Sequence, residues 1–355
     1  MSEQTQQRGG ALRALAIAGL VVALGAAGAW QWMTGAPGGS GAPEVVFVVP
    51  PGSTAQRVGG ELEELGLIRS ARGFRLLLRL KGDARRLRAG EFALRASMDA
   101  GQVIDALIRG PFVLHQVTIP EGFSARQIAA RLAAEGFGTE EKFRELMFSA
   151  AFADRLDIPG PSLEGYLFPT TYSFSRPFTE ERVLSAMVAE TRKHLPPVIP
   201  ESVRARGITD NHKLLTLASI VEKETGVPHE RPYIAAVFLN RLAKGMRLET
   251  DPTVIYGIGE DYDGNIRRKD LETWTPYNTY RIKGLPPGPI ASPGAEAIDA
   301  VLHPAEADYL FFVAKQSEHG VHYFSETYPL HEQAVRYFQL GKGKAPPAQD
   351  LKPAE

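Results

Sequence analysis

The stretch that most limits what this chain can become is ALAIAGLVVALGAAGAWQWM, residues 14–33, followed by no charge until Glu44. At about 1.5 Å per residue such a helix is just long enough to cross a hydrocarbon core of about 30 Å. Arg8 and Arg13 precede it, which leaves residues 1–13 in the cytoplasm, and Trp30 and Trp32 stand where interfacial aromatics belong. Residues 14–33 are therefore expected to form a single transmembrane helix, with the rest of the chain exported. A cleaved signal peptide is the rival reading, because Ala27-Gly28-Ala29 fits the small-x-small rule. A buried soluble helix fits poorly with an N-terminal apolar run behind arginines.

Composition narrows the remainder. The chain has 355 residues, 44% hydrophobic and 23% charged, enough for two or three globular domains. A net charge of -1 gives no general attraction to nucleic acid. Cysteine is absent, which excludes disulfide frameworks, cysteine zinc sites and thiol nucleophiles but does not fix the compartment.

TGAPGGSGAP, residues 34–43, reads as a linker, and residues 341–355 read as a disordered tail with little to bury. Between them lies an internal repeat. VPPGSTAQRVGGELEELG (49–66) aligns with IPEGFSARQIAARLAAEG (119–136) at an offset of 70, with Pro50/Pro120, Gly52/Gly122, Ala55/Ala125, Leu62/Leu132 and Gly66/Gly136 matched. Each copy predicts a strand, a glycine turn, an N-cap (Ser53 or Thr54, and Ser124), an amphipathic helix and a glycine stop. Residues 90–110 look like a third such piece. Residues 44–137 are thus expected to be small α+β units suited to binding or spacing. The basic run RLKGDARRLRAG (79–90) suits an anionic polymer or, more plainly, a solvated helix end. From about residue 138 to 340 the texture changes to helices alternating with loops rich in aromatic and small polar residues, a larger mixed α/β domain.

Within that domain, LASIVEKETG (217–226) closes a helix that Asp210 or Asn211 can cap and that Gly226 and Pro228 stop. At about 100° per residue, Leu214, Leu217, Ala218 and Val221 form an apolar stripe, Lys223 points away from it, and Glu222 and Glu224 flank it on opposite sides. Side chains at i and i+2 do not face each other, so the two glutamates are not the paired carboxylates that flank one bond in most glycosidases. A carboxyl at the edge of apolar packing loses hydration and holds its proton more tightly, which suits a general acid. The smaller neighbours one turn back, Ala218 and Ser219, favour Glu222; solvated end-of-helix glutamates paired with Lys223 or Arg231 are the plain alternative. The loops supply what a sugar cleft uses: rings to stack on pyranoses and small polar groups to bond hydroxyl and acetamido groups. Tyr277, Asn278, Thr279 and Tyr280 form one set, Thr250, Asp251, Thr253 and Tyr256 another, with Tyr166 and Tyr172 besides.

LEGYLFPTTYSF, LASIVEKET, FLNRL, MRLETDPTVIYG, YNTYRIKGLPPGPIASPG and HPAEADYLFFVA occur in that order. Over about residues 11–340 the chain resembles the YceG-like endolytic murein transglycosylases, bacterial enzymes anchored in the cytoplasmic membrane. The resemblance implies an anchor, a LysM-like region (44–137) and a transglycosylase domain (138–340). It further implies cleavage of the MurNAc-β-1,4-GlcNAc bond within nascent peptidoglycan glycan strands, leaving 1,6-anhydro-MurNAc ends and so ending elongation. Glu222, the first glutamate of VEKET, is the catalytic residue by this resemblance, acid and then base, while Glu224 has a supporting place. Tyr277, Asn278, Thr250, Asp251, Tyr166, Tyr256 and Tyr280 are carried over as substrate-binding residues. No cofactor or metal is implied. Peptidoglycan synthases (penicillin-binding proteins) are the implied protein partners, and the inner membrane, with the catalytic domain periplasmic, is the implied location.

Two other classes remain at this level. A non-catalytic peptidoglycan-binding scaffold explains the anchor and repeats equally well. A metal-dependent peptidase would use His319 and His322 with Glu318 or Glu326, although no HExxH-type ligand set accompanies them. DYDGN (261–265) lacks the glycine at the sixth position of a calcium loop, and no GxSxG, Walker or dinucleotide fingerprint stands in context.

Overall fold

The computed structural model describes residues 3–83, 86–316, 320–349 and 351, with side chains from residue 15 onward. The chain is α+β and forms two compact units. One holds residues up to Gln116 together with Ser173–Phe178, the other Val117–Tyr172 and residues from Thr179 onward.

The first unit begins with α1 (Glu3–Thr34), whose stretch Leu15–Thr34 is apolar and long enough to cross a membrane. Strand β1 (Glu44–Val49) pairs antiparallel with β2 (Gly90–Arg95), Phe47 opposite Phe92. Phe47 and Val49 face inward while Val46 and Val48 face water, the period-2 alternation of a half-buried strand. Helices α2 (Ala55–Glu64), α3 (Ala71–Leu80) and α4 (Ala100–Arg109) close over that face, burying Leu62, Phe74, Leu78, Ile104 and Leu107. Thr54 caps α2, and Asp99 caps α4 with a complete capping box. Three basic residues of 79–90 are engaged locally: Lys81 with Asp105, Arg86 with Asp83, and Arg88 with the Gly110 carbonyl and the Phe112 ring.

The second unit starts within β3 (His115–Thr118), which pairs with β4 (Thr171–Phe174). The division expected at 137/138 therefore falls at 116/117. The second copy of the repeat has the backbone of the first: Gly122 and Gly136 adopt φ of +71° and +76°, Gly52 and Gly66 φ of +76° and +67°, and Ser124 caps α5 (Ala125–Ala134) as Thr54 caps α2. Yet α5 packs on α6 (Glu140–Met147), and its first amide, that of Ala125, is bonded by Glu164. Its burial lies with the larger unit. That unit continues through α7 (Ala150–Arg155), α8 (Glu180–Lys193), α9 (Glu201–Arg204), α10 (Asn211–Glu224), α11 (Arg231–Ala243), α12 (Asp251–Ile258), α13 (Arg268–Glu272) and α14 (Ala295–Leu302). A hairpin of β5 (Phe311–Ala314) and β6 (His322–Ser325), antiparallel with Phe312 opposite Phe324, and α15 (Tyr328–Phe338) complete it.

The tail is not loose over its described part. Gln349 brackets Phe324, accepting from its N–H at 2.9 Å and donating to its carbonyl at 2.6 Å. Gln333 reaches the Lys344 and Ala345 carbonyls, both at 3.2 Å. A side-chain amide carries both a donor and an acceptor, so one glutamine can satisfy an edge strand that composition alone leaves open.

Helix α10 is the centre of the unit. Asp210 caps it by accepting the Lys213 amide at 2.9 Å. The eight residues Leu214 to Val221 are all buried, with α11, α12 and α14 packed around them. The expected amphipathic stripe is thus a helix covered on every side. Its two hydroxyls permit this by returning to their own helix: Thr216 donates to the His212 carbonyl at 2.7 Å and Ser219 to the Thr216 carbonyl at 2.8 Å.

Candidate active site

The last turn of α10 carries both glutamates out of this apolar centre, to different places. Thr225 turns extended and its hydroxyl accepts the Val227 amide at 3.0 Å, which ends the helix.

The Glu222 side chain is 7% exposed. Its Oε1 accepts from Arg231 Nη2 at 3.3 Å and its Oε2 from the Gly294 amide at 3.1 Å. Arg231 stands at the first position of α11, and Gly294 is the N-cap of α14, so three elements converge on one carboxyl. The loop ending at Gly294 is itself tied to α10, because the Ile290 amide donates to Ser219 Oγ at 3.0 Å. Arg231 also contacts Glu296 and, at 3.6 Å, Glu121. The neighbouring Lys223 lines a hollow of about 300 Å³ together with Gly122, Pro252, Tyr256 and Ile290. A second, of about 440 Å³, lies on the side of Arg231, the partner of Glu222, lined by Pro228, His229, Glu296 and Asp299.

Glu224 turns the other way. The Thr250 hydroxyl donates to it, and it faces a cavity of about 420 Å³ with Asp251, Tyr280, Arg241, His322 and Phe311. Burial, with the nearby Asp251 charge adding to it, pushes its carboxyl up to about 7 against the pull of the Thr250 bond, His322 and Arg241. A third glutamate, Glu164, is buried under Tyr256. It accepts the Ala125 amide at 2.9 Å and the Tyr256 hydroxyl at 3.1 Å, and burial pushes it up to about 7 despite both donors.

The aromatic and polar residues singled out in the sequence divide into three groups. Asp251 and Tyr280 line the Glu224 cavity, joined by a Tyr280 O–H to Asp251 bond of 2.7 Å, and so lie beside Glu224 rather than Glu222. Tyr256 lines the hollow next to Lys223, with the Tyr277 ring tilted at 56° against it, centroids 4.7 Å apart. Asn278, Thr250 and Tyr166 are internal. Asn278, 1% exposed, donates to the carbonyls of Asp270, Leu271 and Thr273 and accepts the Tyr280 amide at 3.0 Å, which makes it a staple of its own loop rather than a sugar contact. Thr250, 2% exposed, is spent on Glu224, Thr279 and Thr253. Tyr166 is buried, its hydroxyl 2.9 Å from His212 Nδ1. A buried polar group whose bonds are already made has nothing left to offer a ligand.

The sequence reading missed Glu121, Glu164 and Glu296, and named Arg231 only as a surface partner. Two of these had a visible signal: Glu121 and Glu164 each precede a glycine that adopts positive φ, +71° at Gly122 and +79° at Gly165. A carboxyl beside a required turn is held in place by the backbone. Of the residues a metal-dependent peptidase would use, His322 is buried against Glu230, Nδ1 to Oε2 2.7 Å. Glu318 and His319 lie outside the described residues. Asp263 of the DYDGN stretch pairs with Arg267 and the Asn265 amide, an ordinary turn.

Residues 47–337 match the YceG-like family. An endolytic murein transglycosylase of Bacillus subtilis (strain 168) is 36% identical over 312 residues, covering 83% of this chain and 85% of that protein. An endolytic murein transglycosylase of Streptococcus pneumoniae (strain D39) is 33% identical over 310 residues; the match takes in 79% of this chain but 56% of that longer protein. A crystal structure of a YceG-like protein from Listeria monocytogenes is 34% identical and covers 82% of this chain and 99% of that chain, with a TM-score of 0.54.

Proposed function

The chain belongs to the YceG-like family, and from that premise we propose that it is a peptidoglycan lytic transglycosylase with Glu222 as its acid and base. The observation that carries this is the Glu222 carboxyl itself. It ends a buried helix, fixed by Arg231 and the Gly294 amide, and its chain neighbour Lys223 and its partner Arg231 line hollows of about 300 and 440 Å³. Fixing a carboxyl by bonds to rigid elements is what general acid catalysis needs, since the reacting oxygen must come within hydrogen-bond reach.

The reaction proceeds within a glycan strand. A carboxylic acid proton passes to the glycosidic oxygen as the C1–O4 bond breaks. The 6-hydroxyl of the same MurNAc closes on C1, its proton returns to the carboxylate, and a 1,6-anhydro end remains. No water enters, which makes the enzyme a lyase and requires no second carboxylate as nucleophile, unlike a retaining hydrolase. Tyr256, with Tyr277 against it, offers an aromatic wall to a sugar in the hollow that Lys223 lines, and Tyr280 and Asp251 serve a more distant part of the strand. Helix α1 anchors the chain, with its N-terminus cytoplasmic and the enzyme on the periplasmic face of the inner membrane. The first unit is the LysM-like region and holds the strand or spaces the enzyme from the bilayer. Nascent strands emerge where synthases work, so those enzymes are the partners.

Mass spectrometry of uncrosslinked glycan after incubation with the protein tests the reading. Anhydro-MurNAc ends are expected; reducing ends would indicate hydrolysis, and intact strands would favour a scaffold.

A further inference from the structure

Resting on that reading, we propose that Glu121 is the second member of the acid–base unit: it faces the same Arg231 nitrogen as Glu222, and the two carboxyls together, not Glu222 alone, give and recover the proton. Glu121 is placed by backbone. The Gly122 amide donates to the Ser292 carbonyl at 2.9 Å and the Ser292 amide to the Phe123 carbonyl at 2.8 Å, which straps the turn before α5 onto the loop that enters α14. The strap lays the Glu121 carboxyl on Gly294, so closely that a Cβ built at Gly294 would collide with it. The amide of that same Gly294 donates to Glu222 Oε2. On the other side one guanidinium nitrogen serves both carboxyls: Arg231 Nη2 is 3.3 Å from Glu222 Oε1 and 3.6 Å from Glu121 Oε2.

The charges do not balance if every group is ionised. Glu121, Glu222 and Glu296 meet one cation, Arg231, which is itself only 8% exposed. The other charged neighbour, Lys223, directs its ammonium to the Gly122 carbonyl at 3.3 Å. Like charges gathered on one cation raise one member's affinity for a proton. Glu121 responds as expected: burial raises its carboxyl above the ordinary range, Glu222 and Glu296 raise it further, and Arg231 opposes them. Exposure divides the work. Glu222, with Arg231 and the Gly294 amide both donating to it, is built to accept, whereas Glu121 has a side chain 47% exposed and can exchange protons with water or substrate. In the forward step a proton from the two carboxyls goes to the leaving oxygen, whose bonding electron pair it meets. As the 6-oxygen bonds C1, the hydroxyl proton falls back to the pair, so the site is restored with no co-reactant.

Rates of glycan cleavage across pH test this in the full-length protein, with uncrosslinked strands as substrate and thermal melting as the control for folding. Glu121→Gln is expected to lower kcat at neutral pH by about tenfold or more, to move the optimum to lower pH, and to leave KM within about threefold. Glu121→Asp, which keeps a titrating carboxyl, should retain an optimum near that of the wild type at reduced rate, and it decides the matter if the glutamine variant fails to fold. Glu296→Gln removes only the smallest of the charges acting on Glu121 and should move the optimum less than Glu121→Gln does. The proposal is overturned if Glu121→Gln keeps both rate and optimum, if it changes KM alone, if Glu121→Asp moves the optimum as the glutamine does, or if Glu296→Gln moves the optimum equally. A wild-type protein that leaves strands uncut sinks the parent reading instead.

Discussion

Glu222 and Glu224 sit two residues apart on α10 and end in separate surroundings, the first against Arg231 and the Gly294 amide, the second against the Thr250 hydroxyl. Helix geometry requires such a divergence for i and i+2, and it assigns them different work. Glu224→Gln keeps an oxygen for the Thr250 hydroxyl. We expect it to leave cleavage within about threefold of wild type, because only residues meeting the reacting atoms carry the large general-acid contribution. Steady-state rates on glycan check this, and loss of turnover in Glu224→Gln alone would exchange the two assignments.

Glu164 and Glu224 make stability depend on pH. Both carboxyls are pushed up to about 7 by burial, so between about pH 5 and 7 the folded chain binds more protons than the unfolded one. Stability is then fully present at the acid end of that window and falls as pH rises through it, by about 3 kcal/mol per group as an upper order of magnitude. Glu164→Gln can still accept the Ala125 amide and can donate to the Tyr256 oxygen. Its melting temperature should vary less than that of the wild type between pH 5 and 8, and an unchanged slope would contradict the assignment.

Ser219 couples the site to the fold. Its oxygen takes the Ile290 amide, and Ile290 is buried, so Ser219→Ala strands an N–H away from water. A loss of about 1–3 kcal/mol is expected from denaturant unfolding. The loop that delivers Gly294 to Glu222 is loosened with it, and the cleavage rate should fall as well. A change under about 0.5 kcal/mol would mean that the loop is held elsewhere.

Backbone features were legible in the sequence wherever a residue type has one local use. Asp210, Thr54 and Ser124 cap where an N-cap was expected, and the glycines of the repeat turn where the alignment put them. What was hidden depends on partners distant along the chain. Thr216 and Ser219 look like a polar face of α10 until their bonds to its own carbonyls are seen, which is why a fully buried helix read as a stripe. Asn278 and Thr250 carry the chemistry of sugar ligands, and only their actual bonds, four to backbone for Asn278, reveal them as staples. Glu121 joins Glu222 from 101 positions away through a backbone strap that has no sequence signature.

The central claim is that the Glu222 carboxyl cuts the glycan. The direct measurement is the rate at which Glu222→Gln, folded and melting as the wild type does, cleaves uncrosslinked strands. A fall of about a hundredfold or more is predicted, the scale of a lost general acid. Cleavage within a few-fold of wild type, by a protein still holding Arg231 and Gly294 in place, would contradict it.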